Sequence, residues 1–202
     1  MPADDNQDLL AGIPRSPELM RPEDTGLLLV DVQTRLIDAQ ADGKRVVWNA
    51  GRLLDGASTL GVSIAATLQY PEKLGPTVPE LAKRLPSPEF DKLTFSCGSC
   101  AEIFLNWRAA GIHRVLICGI EAHVCVQQTA LDLLAGGFQV IVAVDATSSR
   151  NRVDYEIALR RMEISGVLLT TTEAALFEWC RQAGTTEFKA ISALVKDSLE
   201  SQ

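Results

Sequence analysis

The sequence has little histidine, and its cysteines are odd in number. Its two histidines, His113 and His123, lie on either side of a strand-like segment and are too few for a histidine-rich metal site. Five cysteines in 202 residues do not suggest a framework of paired disulfides, because a chain of this length can bury a core without covalent cross-links. We therefore expect free thiols and no bound metal.

The sequence also lacks a basic excess and a long apolar run. It has 19 Lys and Arg against 26 Asp and Glu, a net charge of -7, which disfavours a partner held through nucleic-acid phosphates. No apolar run reaches the roughly 18 to 20 residues that cross a bilayer, and the N-terminus is acidic where a secretory signal would be basic. We expect a cytoplasmic protein with neither a nucleic-acid nor a membrane partner.

Proline and apolar periodicity divide the chain. Four of the nine prolines fall within the first 22 residues, so residues 1–24 are predicted to form an extended N-terminal arm and residues 25–202 one domain. The proline-rich stretch 69–88 is predicted to be a long excursion with one short helix. The segment 188–199 is predicted to be a terminal helix.

Short apolar runs alternate with helical patterns in the predicted domain. Helical spacing at 46–60 and 126–134 separates runs that favour buried parallel strands. This alternation predicts an α/β fold, a Rossmann-like three-layer α/β/α sandwich with a mainly parallel sheet of about six strands. The apolar runs are 27–32, 62–68, 115–119, 140–144 and 167–169.

Three reactive side chains follow predicted strands or lie in strand-like segments. Asp31 closes the first apolar run, Lys92 lies among aromatic and apolar residues, and Cys125 is placed in the first turn of a helix, where the helix dipole favours a thiolate. Each has a plain alternative: a loop-anchoring aspartate, a solvated lysine, a buried inert cysteine. Since ligands bind at the carboxyl ends of parallel strands, the three together suggest a thiol with a carboxylate proton acceptor and an ammonium partner.

The segments around these side chains resemble the isochorismatase-like cysteine hydrolases. The resemblance spans about residues 26–179 and rests on Asp-Val-Gln at 31–33, Lys92 followed by Phe-Ser at 95–96, Gly-Ile-Glu-Ala-His-Val-Cys-Val-Gln-Gln-Thr-Ala at 119–130 and Val-Asp-Ala-Thr-Ser-Ser-Arg at 144–150. The resemblance implies a catalytic triad of Asp31, Lys92 and Cys125. It also implies hydrolysis of a small amide or related C–N substrate through a thioester.

Further site residues are implied by the same resemblance. A cis peptide bond is expected between Ile120 and Glu121, with the N–H groups of Glu121 and Cys125 forming an oxyanion hole. We take four residues near the predicted crevice as candidates for the substrate pocket, namely Gln33, Gln69, Tyr70 and Phe95.

The chain departs from metal-dependent nicotinamidases at two positions. These enzymes carry an Asp-x-His metal pair after their second strand, where this chain has Gln69 and Pro71. Neither residue can replace those ligands, so no metal and no cofactor are expected. The pattern Gln-Tyr-Pro-x-x-Leu-Gly-Pro-Thr-Val-Pro-Glu at 69–80 looks like the isochorismatase domain-containing subgroup, and true isochorismatases lack the cysteine found at 125.

Two alternatives to a cysteine hydrolase stay open. Cys97 and Cys100 form a CxxC motif that favours a dithiol redox protein, and the fold could also serve as a non-catalytic or vestigial oligomeric binding protein. We expect a homo-oligomer whichever of these functions holds. Relatives are usually dimers or larger, and the chain has more apolar residues than one sandwich needs to bury, namely Phe104, Trp107 and the apolar positions of 188–199.

Overall fold

A computed structural model of the protein describes residues 13–86 and 88–199. Their core is a six-stranded sheet in which every pairing is parallel and the strand order is β3-β2-β1-β4-β5-β6. The predicted α/β fold with a mainly parallel sheet of about six strands is confirmed. The strands are β1 (Thr25–Val30), β2 (Ser63–Gln69), β3 (Phe90–Lys92), β4 (Arg114–Ile120), β5 (Gln139–Ser148) and β6 (Leu168–Thr170).

Helices cover both faces of the sheet. The longest, α2 (Gly43–Leu60), is followed by Gly61, whose left-handed backbone (φ 74°) favours glycine. The helices are α1 (Thr34–Ile37), α2 (Gly43–Leu60), α3 (Pro71–Leu74), α4 (Pro79–Ala82), α5 (Ala101–Ala109), α6 (Gln127–Ala135), α7 (Arg152–Ile164), α8 (Thr172–Cys180) and α9 (Thr186–Lys196).

The alternation of side chains along β1 produces two apolar clusters, one on each face. Leu27 and Leu29 pack in the cluster that includes α2, α8 and α9, whereas Leu28 and Val30 pack in the cluster that includes α5, α6 and α7. All six residues of β1 are buried, as expected for a central parallel strand covered on both faces. The apolar runs in the sequence therefore mark the middle of the sheet.

The chain order places a switch point beside β1. From β1 the chain passes outward to β2 and β3, and then returns to β4 on the other side of β1 before continuing to β5 and β6. Connections leave β1 and β4 in opposite directions, and in sheets of this topology ligands bind at the carboxyl ends of the two strands. The candidate residues Asp31 and Cys125 follow these strands.

Several local predictions need correction. The excursion 69–88 contains two short helices, α3 and α4, where one was expected, and β5 extends beyond the predicted run 140–144. Phe104 and Trp107 are buried, with exposed fractions of 7% and 6%, so they do not supply the surface from which we expected oligomerisation. The Trp107 ring lies against Gly26, where an added Cβ would be 2.8 Å from the ring carbons.

The predicted N-terminal arm is described from residue 13 onward; residues 1–12 lie outside the described residues. Met20 is buried, and its N–H donates to the carboxylate of Glu178 at 2.9 Å. The Arg15 guanidinium donates to the carbonyl oxygens of Met20 and Glu178. The described part of the arm thus packs on α8.

Candidate active site

The three candidate residues lie at the same edge of the sheet. Asp31 directly follows β1, Lys92 is the last residue of β3, and Cys125 lies in a π-helical turn, Ala122–Val126, between β4 and α6. All three are buried, with exposed fractions of 0%, 5% and 6%. The fold therefore brings together residues that are up to 94 positions apart in the sequence.

Gly119 allows β4 to lie close to Val30, the residue before Asp31. Its φ of 119° is one that favours glycine, and an added Cβ would lie 2.1 Å from the carbonyl oxygen of Val30. The register between β4 and β5 shifts between Ile117 and Gly119, which marks an irregularity at this end of the strand. Asp31 also has a left-handed backbone, with φ of 53°.

Asp31 and Lys92 form a buried ion pair. The Lys92 Nζ lies 2.6 Å from Asp31 Oδ2, and neither side chain is exposed. The ammonium also donates to Gln69 Oε1 at 2.8 Å and to the carbonyl oxygens of Phe95 at 3.0 Å and Thr94 at 3.3 Å. Four acceptors thus surround three N–H donors, so the ammonium is fully satisfied within the protein.

The pKa of Lys92 is raised above its ordinary value. Burial alone would lower it, but the charge of Asp31 and the neighbouring thiols of Cys97 and Cys125 favour the charged form and outweigh the burial. Lys92 is therefore an ammonium at neutral pH and is unsuited to give up a proton.

The thiol of Cys125 differs from the expectation of a thiolate. Burial raises its pKa, the Asp31 carboxylate raises it further, and Lys92 only partly opposes both. The helix dipole does not produce a thiolate here, because the sulfur is desolvated and lies beside the Asp31 carboxylate. A protonated thiol needs a base before it can attack, and its alkylation is not expected to precede that of the half-buried Cys180.

The peptide bond between Ile120 and Glu121 is cis, at the position that the resemblance implies. The Glu121 carboxylate accepts hydrogen bonds from the backbone N–H and the guanidinium of Arg150, at 3.2 and 3.0 Å, and from the Gln40 amide at 3.4 Å. These contacts fix the side chain of Glu121 at the start of the turn that carries Cys125.

The four pocket candidates separate into two pairs. Tyr70 and Phe95 are exposed, at 40% and 53%, whereas Gln33 and Gln69 are buried, at 0% and 8%. The Gln33 side-chain oxygen accepts from the backbone N–H of Gln69, and its side-chain nitrogen donates to the carbonyl oxygens of Gln69 and Gly75. Both glutamines are therefore engaged within the protein, and their place in a substrate pocket stays a prediction.

The CxxC motif does not have the features of a reactive dithiol. All five cysteines are free, and Cys97 and Cys100 are both buried. Burial and the Asp31 charge raise the pKa of Cys97 to about 12, and burial also raises the pKa of Cys100. A redox dithiol needs a lowered thiol pKa, so this geometry does not support the redox alternative.

Thr67 was missed by the sequence interpretation. Its hydroxyl donates to Asp31 Oδ1 at 2.8 Å and lies 3.4 Å from the Cys97 sulfur. The available signal was its position two residues before Gln69 on the same strand, since alternate residues of a strand share a face.

Among the described residues, no group of three or more His, Cys, Asp or Glu side chains is arranged to hold a metal ion.

A doubly wound parallel sheet with a buried Asp–Lys pair and a cysteine at its switch point defines an α/β-sandwich protein with a candidate thiol active site. The family model described as the Isochorismatase domain matches residues 25–174. The chain belongs to this family, which is a family of hydrolases, and the resemblance inferred from the sequence is confirmed.

Relatives are similar in sequence to this protein over most of its length. Isochorismatase domain-containing protein 2A of Mus musculus is 42% identical over 176 residues, 87% of this chain and 84% of the relative. The secreted isochorismatase effector Isc1 of Phytophthora sojae is 38% identical over 186 residues, 90% of this chain and 89% of the relative. The structure of MAR1 ribonuclease from Caenorhabditis elegans has a TM-score of 0.83 and 36% identity, and covers 89% of this chain and 93% of that one.

Proposed function

We propose that the protein is a cysteine hydrolase that cleaves a small amide or a related C–N substrate through a thioester. The observation that carries this proposal is the buried Asp31–Lys92 ion pair next to Cys125 at the carboxyl ends of the strands. A buried charge pair is costly to desolvate, and its placement beside a thiol gives it a chemical use. A solved relative at 19% identity, from Pseudomonas syringae, is called a cysteine hydrolase, and its likeness supports the fold alone.

The proposed reaction begins with removal of the thiol proton. Asp31 takes the proton as the Cys125 sulfur attacks the carbonyl carbon, and the developing oxyanion is bound by the N–H groups of Glu121 and Cys125. Asp31 then passes the proton to the departing amine as the C–N bond breaks. Water, deprotonated by Asp31, attacks the resulting thioester, which releases the acid and restores the thiol. Lys92 holds the carboxylate in place throughout.

The test is a panel of small amides assayed with the native chain and with Cys125→Ala. Hydrolysis that disappears in Cys125→Ala supports the proposal. Tight ligand binding without turnover would favour the non-catalytic alternative. Turnover by Cys125→Ala at the native rate would contradict a thiol mechanism.

A second candidate substrate is RNA, because the relative with 36% identity is called MAR1 ribonuclease. The net charge of -7 disfavours it, since RNA binding relies on neutralised phosphates. A single-stranded RNA substrate therefore belongs in the same panel. RNA cleavage that depends on Cys125 and exceeds amide hydrolysis would replace the amide proposal.

Activity is expected to survive chelation. Gln69 and Pro71 stand where metal-dependent relatives have ligands, and Gln69 is already bonded to Lys92 and Leu93. Hydrolysis should therefore keep at least about nine-tenths of its rate after dialysis against EDTA. Elemental analysis that finds one tightly held transition metal per chain, with activity restored only by that metal, would contradict this expectation.

The protein is expected to assemble as a homo-oligomer through α7. Val153, Ile157 and Ile164 are exposed at 63%, 57% and 76%, and their spacing places them on one face of the helix. An Escherichia coli protein with the same fold, YcaC, is described as an octameric hydrolase, at 24% identity. Light scattering should give a multiple of 21.9 kDa that Ile157→Glu reduces and Ile157→Leu does not. A monomeric mass for the native chain at micromolar concentration would contradict assembly.

We also propose that the protein acts in the cytoplasm. Its five thiols are free in the structure, as is usual in a reducing compartment. No helix within the described residues is long and apolar enough to span a membrane. Because the Phytophthora sojae relative is a secreted effector, the location of this chain needs a direct test. That test is microscopy of the tagged chain in the cells that naturally produce it.

A further inference from the structure

The last residues of β2 contact both members of the buried ion pair. Thr67 and Gln69 are two positions apart and therefore lie on the same face of the strand. Thr67 bonds to the Asp31 carboxylate, and Gln69 bonds to the Lys92 ammonium. Both side chains are buried, with exposed fractions of 1% and 8%.

The Thr67 hydroxyl has a fixed direction of donation. Its single hydrogen goes to Asp31 Oδ1 at 2.8 Å, because an ionised carboxylate can only accept. The Cys97 sulfur, 3.4 Å from the same hydroxyl oxygen, must then be the donor of that contact. With Lys92 on Oδ2, each carboxylate oxygen receives a hydrogen bond from a different strand, which holds the carboxylate against rotation.

The Gln69 side chain is fixed as firmly as its backbone. Its Oε1 accepts from Lys92 at 2.8 Å and its Nε2 donates to the carbonyl of Leu93 at 2.9 Å, so the amide has one orientation. The Gln33 amide accepts from the Gln69 N–H at 2.8 Å and donates to the Gln69 carbonyl at 3.0 Å. Gln33 thus holds the backbone at the end of β2 in place.

We infer that Thr67 and Gln69 are positioning residues for the triad: Thr67 orients the Asp31 carboxylate and Gln69 holds the Lys92 ammonium on it. The inference rests on the proposed cysteine-hydrolase function for its catalytic meaning. It assigns a use to two buried side chains through their contacts with the ion pair.

Thr67→Val tests whether Thr67 orients the Asp31 carboxylate, with Thr67→Ser as its matched control. Valine keeps the shape and removes the hydroxyl, whereas serine keeps the hydroxyl. Thr67→Val removes one of the hydrogen bonds to the Asp31 carboxylate, so the ¹³C chemical shift of that carboxyl carbon at neutral pH should change in Thr67→Val and stay native in Thr67→Ser.

This chemical shift can be read by NMR without a substrate. The native chain and both variants are labelled with ¹³C at their aspartate carboxyl carbons, and the Asp31 signal is the one missing from Asp31→Asn. Equal Asp31 chemical shifts in the native chain and in Thr67→Val, with both folded, would overturn the role of Thr67.

Gln69→Met tests whether Gln69 holds the Lys92 ammonium. The control is Gln128→Met, at an exposed position on α6. Methionine has a similar length but cannot accept from the ammonium. We expect kcat to fall about tenfold with KM within twofold of native, because the residue holds Lys92 and does not contact substrate. A rise in KM at unchanged kcat would overturn this role and restore Gln69 to the substrate pocket.

The outcomes separate this inference from the proposed function. Turnover by Cys125→Ala would contradict the hydrolase mechanism, while a changed Asp31 chemical shift in Thr67→Val would still establish the orienting contact. Conversely, a Cys125-dependent hydrolase with a native Asp31 chemical shift in Thr67→Val and native kinetics in Gln69→Met would retain the function and discard the positioning role.

Discussion

Replacing Cys125 by serine is expected to lower kcat by roughly 10,000-fold or more, the scale seen when a nucleophile is removed from a catalytic unit. The hydroxyl is a far poorer nucleophile than the thiol, and a carboxylate such as Asp31 cannot readily deprotonate it. Serine preserves the shape of a residue that is only 6% exposed, so the fold should persist. Steady-state rates on an amide found in the substrate panel give the measurement.

Cys180→Ser is the control for this change. Cys180 is half-buried at the end of α8 and packs against the apolar cluster on the opposite face of the sheet from that of Cys125, so its loss should leave kcat within about twofold of native. Native turnover by Cys125→Ser would contradict the thiol mechanism. An equal loss in both variants would point to general damage by the substitution.

Lys92→Met is expected to lower the free energy of unfolding by about 3 to 5 kcal/mol, because it leaves the Asp31 carboxylate buried without its partner. Neither side chain of this pair is exposed, so solvent cannot replace the lost contact. The same variant should also lose most of its turnover, since the carboxylate is no longer held. Chemical denaturation followed by circular dichroism measures the stability.

The pH dependence of this effect follows from the raised pKa of Lys92. A lysine whose pKa is higher in the folded state stabilises the fold fully below its unfolded pKa of about 10.4, and this stability is lost as the pH rises through the folded value. The difference between the native chain and Lys92→Met should therefore be constant on the alkaline side of neutral up to about pH 9. A difference that vanished by pH 8 would show that Lys92 is not held as an ammonium.

Two further variants complete the test of the ion pair. Lys44→Met, on the exposed start of α2, should change stability by less than about 0.5 kcal/mol. The double variant Asp31→Asn with Lys92→Met removes both charges and should recover part of the loss, because no unpaired charge stays buried. Additive losses in the double variant would mean that the two charges do not interact.

Much of the fold could be predicted because the sheet is central and covered on both faces. Such strands appear as unbroken apolar runs, as in β1 and β4, and the helices between them show clear periodicity. The strand β3 has only three residues and one buried position, so no run marks it. Its place in the sheet depends on pairing with β2, which local sequence does not encode.

The site was only partly accessible from sequence. Asp31 and Cys125 could be located because polar residues that end central strands meet at one crevice. The electrostatic state of Cys125 could not, since it depends on burial and on the distance to Asp31, which only the packed structure fixes. The hydrogen bonds of Gln33 and Gln69 could not be predicted, because their partners are largely backbone atoms, which leave no mark in the sequence.

The central claim is that Cys125 carries the acyl group during turnover. The direct measurement is intact-mass and peptide mass spectrometry of the native chain, acid-quenched during hydrolysis of an amide found in the panel, with hydroxylamine added in a parallel sample. We predict a mass increase equal to the acyl group, located on Cys125 and removed by hydroxylamine as the hydroxamate. An acyl group on another residue, or unchanged turnover by Cys125→Ala, would contradict the account.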